Sequence, residues 1–174
     1  MTRFLSVLWL ALIGFGLALA DARAATPKEL GSFADWTAYL LDDKGAKVCY
    51  VASQPKKAEG AYTSRGDIFA LVTHRPQAKT VNVVSIIAGY PYQDKIEVAL
   101  TIDDSKNFRL FTQGETAWAK DADTDKALVA AMRSGSRMVI KGTSARGTAT
   151  TDTYSLAGFS RAYERASREC GVRI

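Results

Sequence analysis

The stretch 142-GTSARGTATTDTYSLAGF-159 decides the fold. It is crowded with hydroxyls: Thr143, Ser144, Thr148, Thr150, Thr151, Thr153 and Ser155. β-Branched threonines suit extended backbone, and hydroxyl pairs bridge neighbouring strands. Residues 137–143 and 148–156 therefore read as two strands turned by Ser144-Ala145-Arg146-Gly147. Two interpretations of this hairpin compete. In the structural one, Arg146 sits at the tip and pairs with Asp152. In the functional one, Ser144, Arg146, Asp152 and Tyr154 form a polar face for a glycan or a partner strand. Tyr90, Tyr92 and Trp118 would then supply an aromatic platform, although such residues are more often partly buried. The structural interpretation is preferred.

Working outward, the same strand-and-turn rhythm fills most of the chain. Residues 36–41 and 48–53 flank the polar turn Asp42-Asp43-Lys44-Gly45, a hairpin signal. Residues 68–73 and 81–88 are apolar at both parities, as in strands covered on both faces. Ile96, Val98, Leu100 and Ile102 alternate with Glu97, Ala99, Thr101 and Asp103, the period of a half-exposed strand, and residues 108–112 return from it. Residues 26–31 read as a flexible leader, and residues 54–67, with Pro55, Gly60 and Gly66, as an exposed loop. One helix interrupts the strands near 124–134. It is capped by Asp123 or Thr124, carries Asp125 in its first turn, buries Leu128, Ala131 and Met132, and stops at Gly135. Phe159, Ala162, Tyr163, Ala166 and Cys170 recur at helical spacing and predict a terminal helix. About eight short strands with turns every eight to twelve residues predict a mainly β, antiparallel sandwich or barrel with one inserted and one C-terminal helix.

The N-terminus points to export. Arg3 precedes the apolar run 4–19, which is short for a bilayer span, and Ala22-Arg23-Ala24 offers small residues to a signal peptidase. A signal peptide over residues 1–24 is expected, with cleavage after Ala20 the alternative, leaving a single domain over 25–174. No later run is long enough to span a bilayer. Removal of residues 1–24 leaves 21 basic and 17 acidic side chains, a net charge of +4. Lys56-Lys57 is the only adjacent basic pair, and there is no basic helix face, so nucleic acid is not an expected partner. Cys49 and Cys170 are the only cysteines. In an oxidising compartment an even count reads as a disulfide, against two free thiols or an intermolecular bridge.

The search for chemistry returns little. His74 is the only histidine. A general base needs a nucleophile and an orienting carboxylate beside it, and there is no Gly-x-Ser-x-Gly elbow. Two thiols and one histidine at scattered positions do not make a zinc cage. Asp42-Asp43 and Asp103-Asp104 sit in turns, where aspartate is favoured for local hydrogen bonds, and their spacing fits no EF-hand loop. Arg65-Gly66-Asp67 spells a tripeptide used by some adhesive proteins and falls in the expected exposed loop. No cofactor motif is present.

Certain residues together carry a family likeness: Arg75-Pro76, Gly89-Tyr90-Pro91-Tyr92, Ala117-Trp118 with Asp121, Leu128-Val129-Ala130-Ala131-Met132 with Gly135, and Ser144-Ala145-Arg146-Gly147-Thr148 with Thr150, Asp152, Tyr154, Ser155 and Leu156. Gly158-Phe159 and the late Cys170 complete it. Over roughly residues 36–170 the chain resembles the invasion-associated locus B family, secreted proteins of alphaproteobacteria. The resemblance implies a single immunoglobulin-like β-sandwich exported to the periplasm or cell surface, in some members linked to host-cell invasion. It carries over no catalytic residue, and many members hold more cysteines than this chain. The resulting expectation is a non-enzymatic envelope protein that binds an envelope or host protein or a glycan. The alternatives are a periplasmic hydrolase centred on His74, and a structural or chaperone-like module that holds partner strands by edge pairing. The sequence leaves oligomeric state open.

Overall fold

The computed structural model describes residues 26–174; the expected signal peptide, residues 1–24, lies outside them. The strands are β1 (Lys28–Phe33), β2 (Trp36–Asp43), β3 (Ala46–Ser53), β4 (Lys57–Gly60), β5 (Phe69–Arg75), β6 (Thr80–Ile87), β7 (Val98–Ile102), β8 (Lys106–Gln113), β9 (Thr116–Trp118), β10 (Arg137–Thr143) and β11 (Ala149–Ser155). The helices are α1 (Ala122–Ser134), between β9 and β10, and α2 (Phe159–Glu169) at the end. The pairing is antiparallel throughout, in the order β1-β2-β3-β5-β6-β9-β8-β7-β10-β11-β4. Strand β8 belongs to both layers of a sandwich-like fold. Its residues Lys106–Leu110 pair with β7, and Phe111, Thr112 and Gln113 pair with β9. One apolar core lies between the layers, with Val51, Val72, Val84, Ile86, Leu100, Ile102, Leu110, Met138 and Ile140 all almost wholly buried.

The mainly antiparallel β fold with one mid-chain and one C-terminal helix is as expected, and so are the hairpins β2–β3, β7–β8 and β10–β11. Three local expectations are corrected. The presumed leader is strand β1, because Leu30 and Phe33 pack against the core and so tie it to β2. The presumed loop 54–67 contains β4, whose four residues are all exposed. They show no apolar period because only backbone pairing to β11 holds them. The cap of α1 is Asp121, whose carboxylate accepts from Thr124 N at 2.8 Å, in place of the expected Asp123 or Thr124.

Helix α1 begins where β9 ends. Strand β9 pairs with β6 only at Ser85, Ile86 and Ile87, and Asp125 then accepts the free Val84 N–H at 2.8 Å. A side-chain carboxylate thus continues the ladder where strand gives way to helix. Helix α2 closes the other end of the core. Its Phe159 packs edge-on to Trp36 with centroids 4.9 Å apart, and Trp36 Nε1 donates to Ser155 O. Gly158 starts it at φ +87°, and a Cβ there would lie 1.8 Å from Phe33 O, so only glycine fits. Cys170 joins Cys49 in a disulfide with Cα atoms 5.9 Å apart. Beside it His74 is fully buried. Its Nδ1 accepts from Asn82 N, which places the ring proton on Nε2, facing Ser167 Oγ at 3.1 Å.

Two measurable consequences follow from this end of the molecule. The disulfide spans 121 residues, and in the chain-entropy model closing such a loop is worth about 5 kcal/mol. Replacing Cys49 and Cys170 by serine together should lower the unfolding free energy by several kcal/mol in denaturant titration. The second consequence concerns pH. Burial pulls the His74 pKa down from 6.5 to about 4; its contribution is present above 6.5 and is lost as pH falls through 4. Burial pushes the Asp125 carboxyl up from 3.8 to about 6; its contribution is present below 3.8 and is lost as pH rises through 6. The two slopes oppose each other in their shared window. Asp125→Asn keeps an acceptor for Val84 N and removes one slope, so its denaturation midpoint should fall between pH 6.5 and pH 4 more steeply than that of the unaltered protein.

Candidate functional site

A cleft of about 590 Å³ opens between the segment after β4, the turn after β6 and the β10–β11 tip. Backbone hydrogen bonds stitch these three segments together. Ala145 N donates to Pro91 O at 2.8 Å, Tyr92 N to Gly114 O at 2.9 Å, Gln93 N to Thr143 O at 3.0 Å and Gly66 N to Gly89 O at 2.9 Å. Gly89 adopts φ +69°, and a Cβ on it would come within 2.4 Å of Gly66 O. Gly89 is thus what allows the backbones to cross at the back of the cleft. The hairpin tip is closed by Gly147 N donating to Ser144 O and by Thr148 N reaching Ser144 Oγ at 3.2 Å, which leaves Arg146 exposed.

Behind the cleft lies a buried ion pair. Arg65 Nη1 and Nη2 donate to Asp152 Oδ1 and Oδ2, each at 2.6 Å, and Arg65 Nε donates to Ala88 O at 2.6 Å. The side chains are 3% and 4% exposed. The guanidinium also lies over the Tyr90 ring, 4.8 Å from its centroid, and 5.5 Å from that of Tyr62. Desolvation acts to lower the Arg65 pKa, but the hydrogen bonds and charge of Asp152 outweigh it and leave it raised. Tyr90 Oη shares a hydrogen with Thr150 Oγ1 at 2.5 Å. Bidentate, charge-assisted geometry of this kind fixes position as well as charge.

The residues singled out in sequence divide between the cleft and its supports. Ser144, Arg146 and Tyr90 line the cleft, joined by Tyr62, Arg65 and Glu115. Tyr92 is 6% exposed and stands edge-on to Tyr90 with centroids 5.3 Å apart, a support beneath the cleft. Asp152 and Tyr154 point inward with Thr150, since alternate residues of β11 face the interior, and so they belong to no surface face. Burial raises the pKa of both Tyr92 and Tyr154. The expected Arg146–Asp152 pair is corrected: Arg65 holds Asp152. The same pair removes Arg65 from any exposed adhesive tripeptide. Trp118 lies elsewhere, against Phe111. Sequence reasoning singled out Arg65 only as part of an exposed tripeptide, and it missed Tyr62 and Glu115. Alternation along β11 offered one usable signal, because a carboxylate at an inward position demands a cation.

His74 is outside the cleft, with both ring nitrogens engaged as described. Asp42 accepts from Gly45 N in its turn, and Asp103 accepts from Ser136 N and Arg137 N, so these carboxylates serve the backbone. Among the described residues no group of three or more His, Cys, Asp or Glu side chains is placed to hold a metal ion. No described helix is long and apolar enough to cross a membrane.

The ion pair sets a test of the site's construction. Asp152→Asn leaves a buried guanidinium without its charge partner and should cost about 3–5 kcal/mol. The double replacement Arg65→Met, Asp152→Leu should cost less than the single one. Denaturant titration of the three variants measures both.

No curated protein and no solved structure matches the chain. The family model described as "Invasion associated locus B (IalB) protein" matches residues 36–167, from the first residue of β2 to the last turn of α2. That span includes every segment of the cleft and both members of the buried ion pair, and the chain belongs to the invasion associated locus B family.

Proposed function

We propose that this is an exported envelope protein that acts by binding a protein or glycan through the cleft at the β10–β11 tip. Residues 1–24 act as its signal peptide, and residues 25–174 form the single mature domain in the periplasm or at the cell surface. The observation that carries this reading is a surface cleft built from three loops and braced from behind by a buried, bidentate ion pair. Such bracing holds a recognition surface in one shape before the partner arrives, which lowers the ordering cost of binding. The cleft presents Tyr62 and Tyr90 rings, Ser and Thr hydroxyls, and the charges of Arg146 and Glu115, a mixture suited to contact rather than to bond cleavage. Membership of the invasion associated locus B family supports an envelope role with a part in host interaction. The disulfide fits an oxidising compartment.

A photo-crosslinker at position 146, in cells that express the protein from its own signal, should capture one discrete protein or glycan species. Ala145→Trp, which fills the cleft from its exposed rim, should abolish that capture while leaving the denaturation midpoint unchanged. Turnover of ester, peptide or glycan substrates by the purified protein, lost on His74→Ala, would replace this reading with a hydrolase.

A further inference from the structure

The outer face of the layer that runs from β2 to β8 is uncovered and apolar. Register places Thr37, Ala52, Leu71, Ser85, Trp118 and Phe111 in one row across six strands. Tyr39, Tyr50 and Val83 stand in the row to one side, and Phe69 and Ile87 in the row to the other. The opposite parity, represented by Ala38, Val51, Val72 and Val84, is buried in the core, so these rows face outward. Their large side chains are half-buried against one another, and Phe111 is 45% exposed. None of the residues named is charged, and the Tyr39–Val83 row ends on β8 at exposed Arg109, two residues from Phe111 on the same face.

The face has two unlike ends. At β2 and β3, Tyr39 and Tyr50 stack with centroids 5.1 Å apart. Beside them a hollow of about 400 Å³ is bounded by Thr37, Tyr39, Ala52 and Phe69, with the Asp35–Lys56 ion pair at its rim. At β9 and β8, Phe111 and Trp118 lean together with centroids 5.7 Å apart, the most projecting part of the face. We infer that this face docks a second copy of the chain. A twofold axis running along the strands lays two such sheets face to face in the aligned manner of sandwich packing. It also sets the Phe111–Trp118 projection of each copy over the Tyr39–Tyr50 end and hollow of the other. At ordinary strand spacing the three rows cover roughly 450 Å² in flat projection. Two such faces, with their relief, reach the scale of about 1,000 Å² at which a specific interface becomes stable.

Sedimentation velocity on the purified, disulfide-bonded protein at micromolar concentration tests this directly. A dimer is expected. Phe111→Lys should raise its dissociation constant at least about tenfold, as loss of a central aromatic contact does, and Ala52→Arg, which fills the hollow, should do the same. Phe111 is already partly exposed, so unchanged denaturation midpoints will separate lost association from lost folding. A protein that stays monomeric overturns the inference, whether or not it floats with phosphatidylglycerol vesicles. So does a dimer indifferent to both substitutions.

Discussion

Strand alternation sends the carboxylate of Asp152 into the interior, where an isolated charge is costly. Everything at the cleft end of the molecule is arranged around that constraint. The cation that answers it, Arg65, lies 87 residues earlier in the chain, so the segment after β4 must come back across β11 to deliver it. To do so the backbone passes within hydrogen-bonding distance of the β6 turn, an approach that Gly89 with its positive φ permits. The tyrosine rings then close over the guanidinium. The cleft is what remains between segments whose positions are set by the ion pair, and this is why its walls come from loops although its back is rigid.

The other end of the core is organised differently. There α2 is held by aromatic packing on Trp36, by the His74–Ser167 contact and by the disulfide. His74 and Asp125 are both buried titratable groups near β6, yet they respond to acid in opposite senses. Their opposition offsets part of the pH dependence that either alone would give the sheet–helix junction.

Much of this architecture was legible in the sequence because it depends on local period. Clean alternation marked β7 and β11, and the helical stripe from Phe159 to Cys170 marked α2. What escaped depends on neighbours. Strand β4 has no apolar residue pattern of its own and exists because β11 offers it an edge. Strand β1 owes its order to Leu30 and Phe33 finding the core. The pairing of Asp152 with Arg65, rather than with the nearer Arg146, is a long-range choice of the same kind. Period two along β11 puts Thr150, Asp152 and Tyr154 on one face, but it did not say that this face is the interior or which cation meets it there. The cleft was therefore half visible: Ser144, Arg146 and Tyr90 belonged to it, while its brace lay in a segment that looked like featureless loop.

The bridge between Cys49 and Cys170 has a consequence beyond folding. It turns the chain between those residues into a covalent ring, and the loops that frame the cleft all lie on that ring. A single peptide-bond cut in the exposed stretch 61–64, or at the 144–148 tip, would open the ring without releasing a fragment. Wherever proteases reach it, a nicked molecule would gain one water and keep both pieces joined through the disulfide.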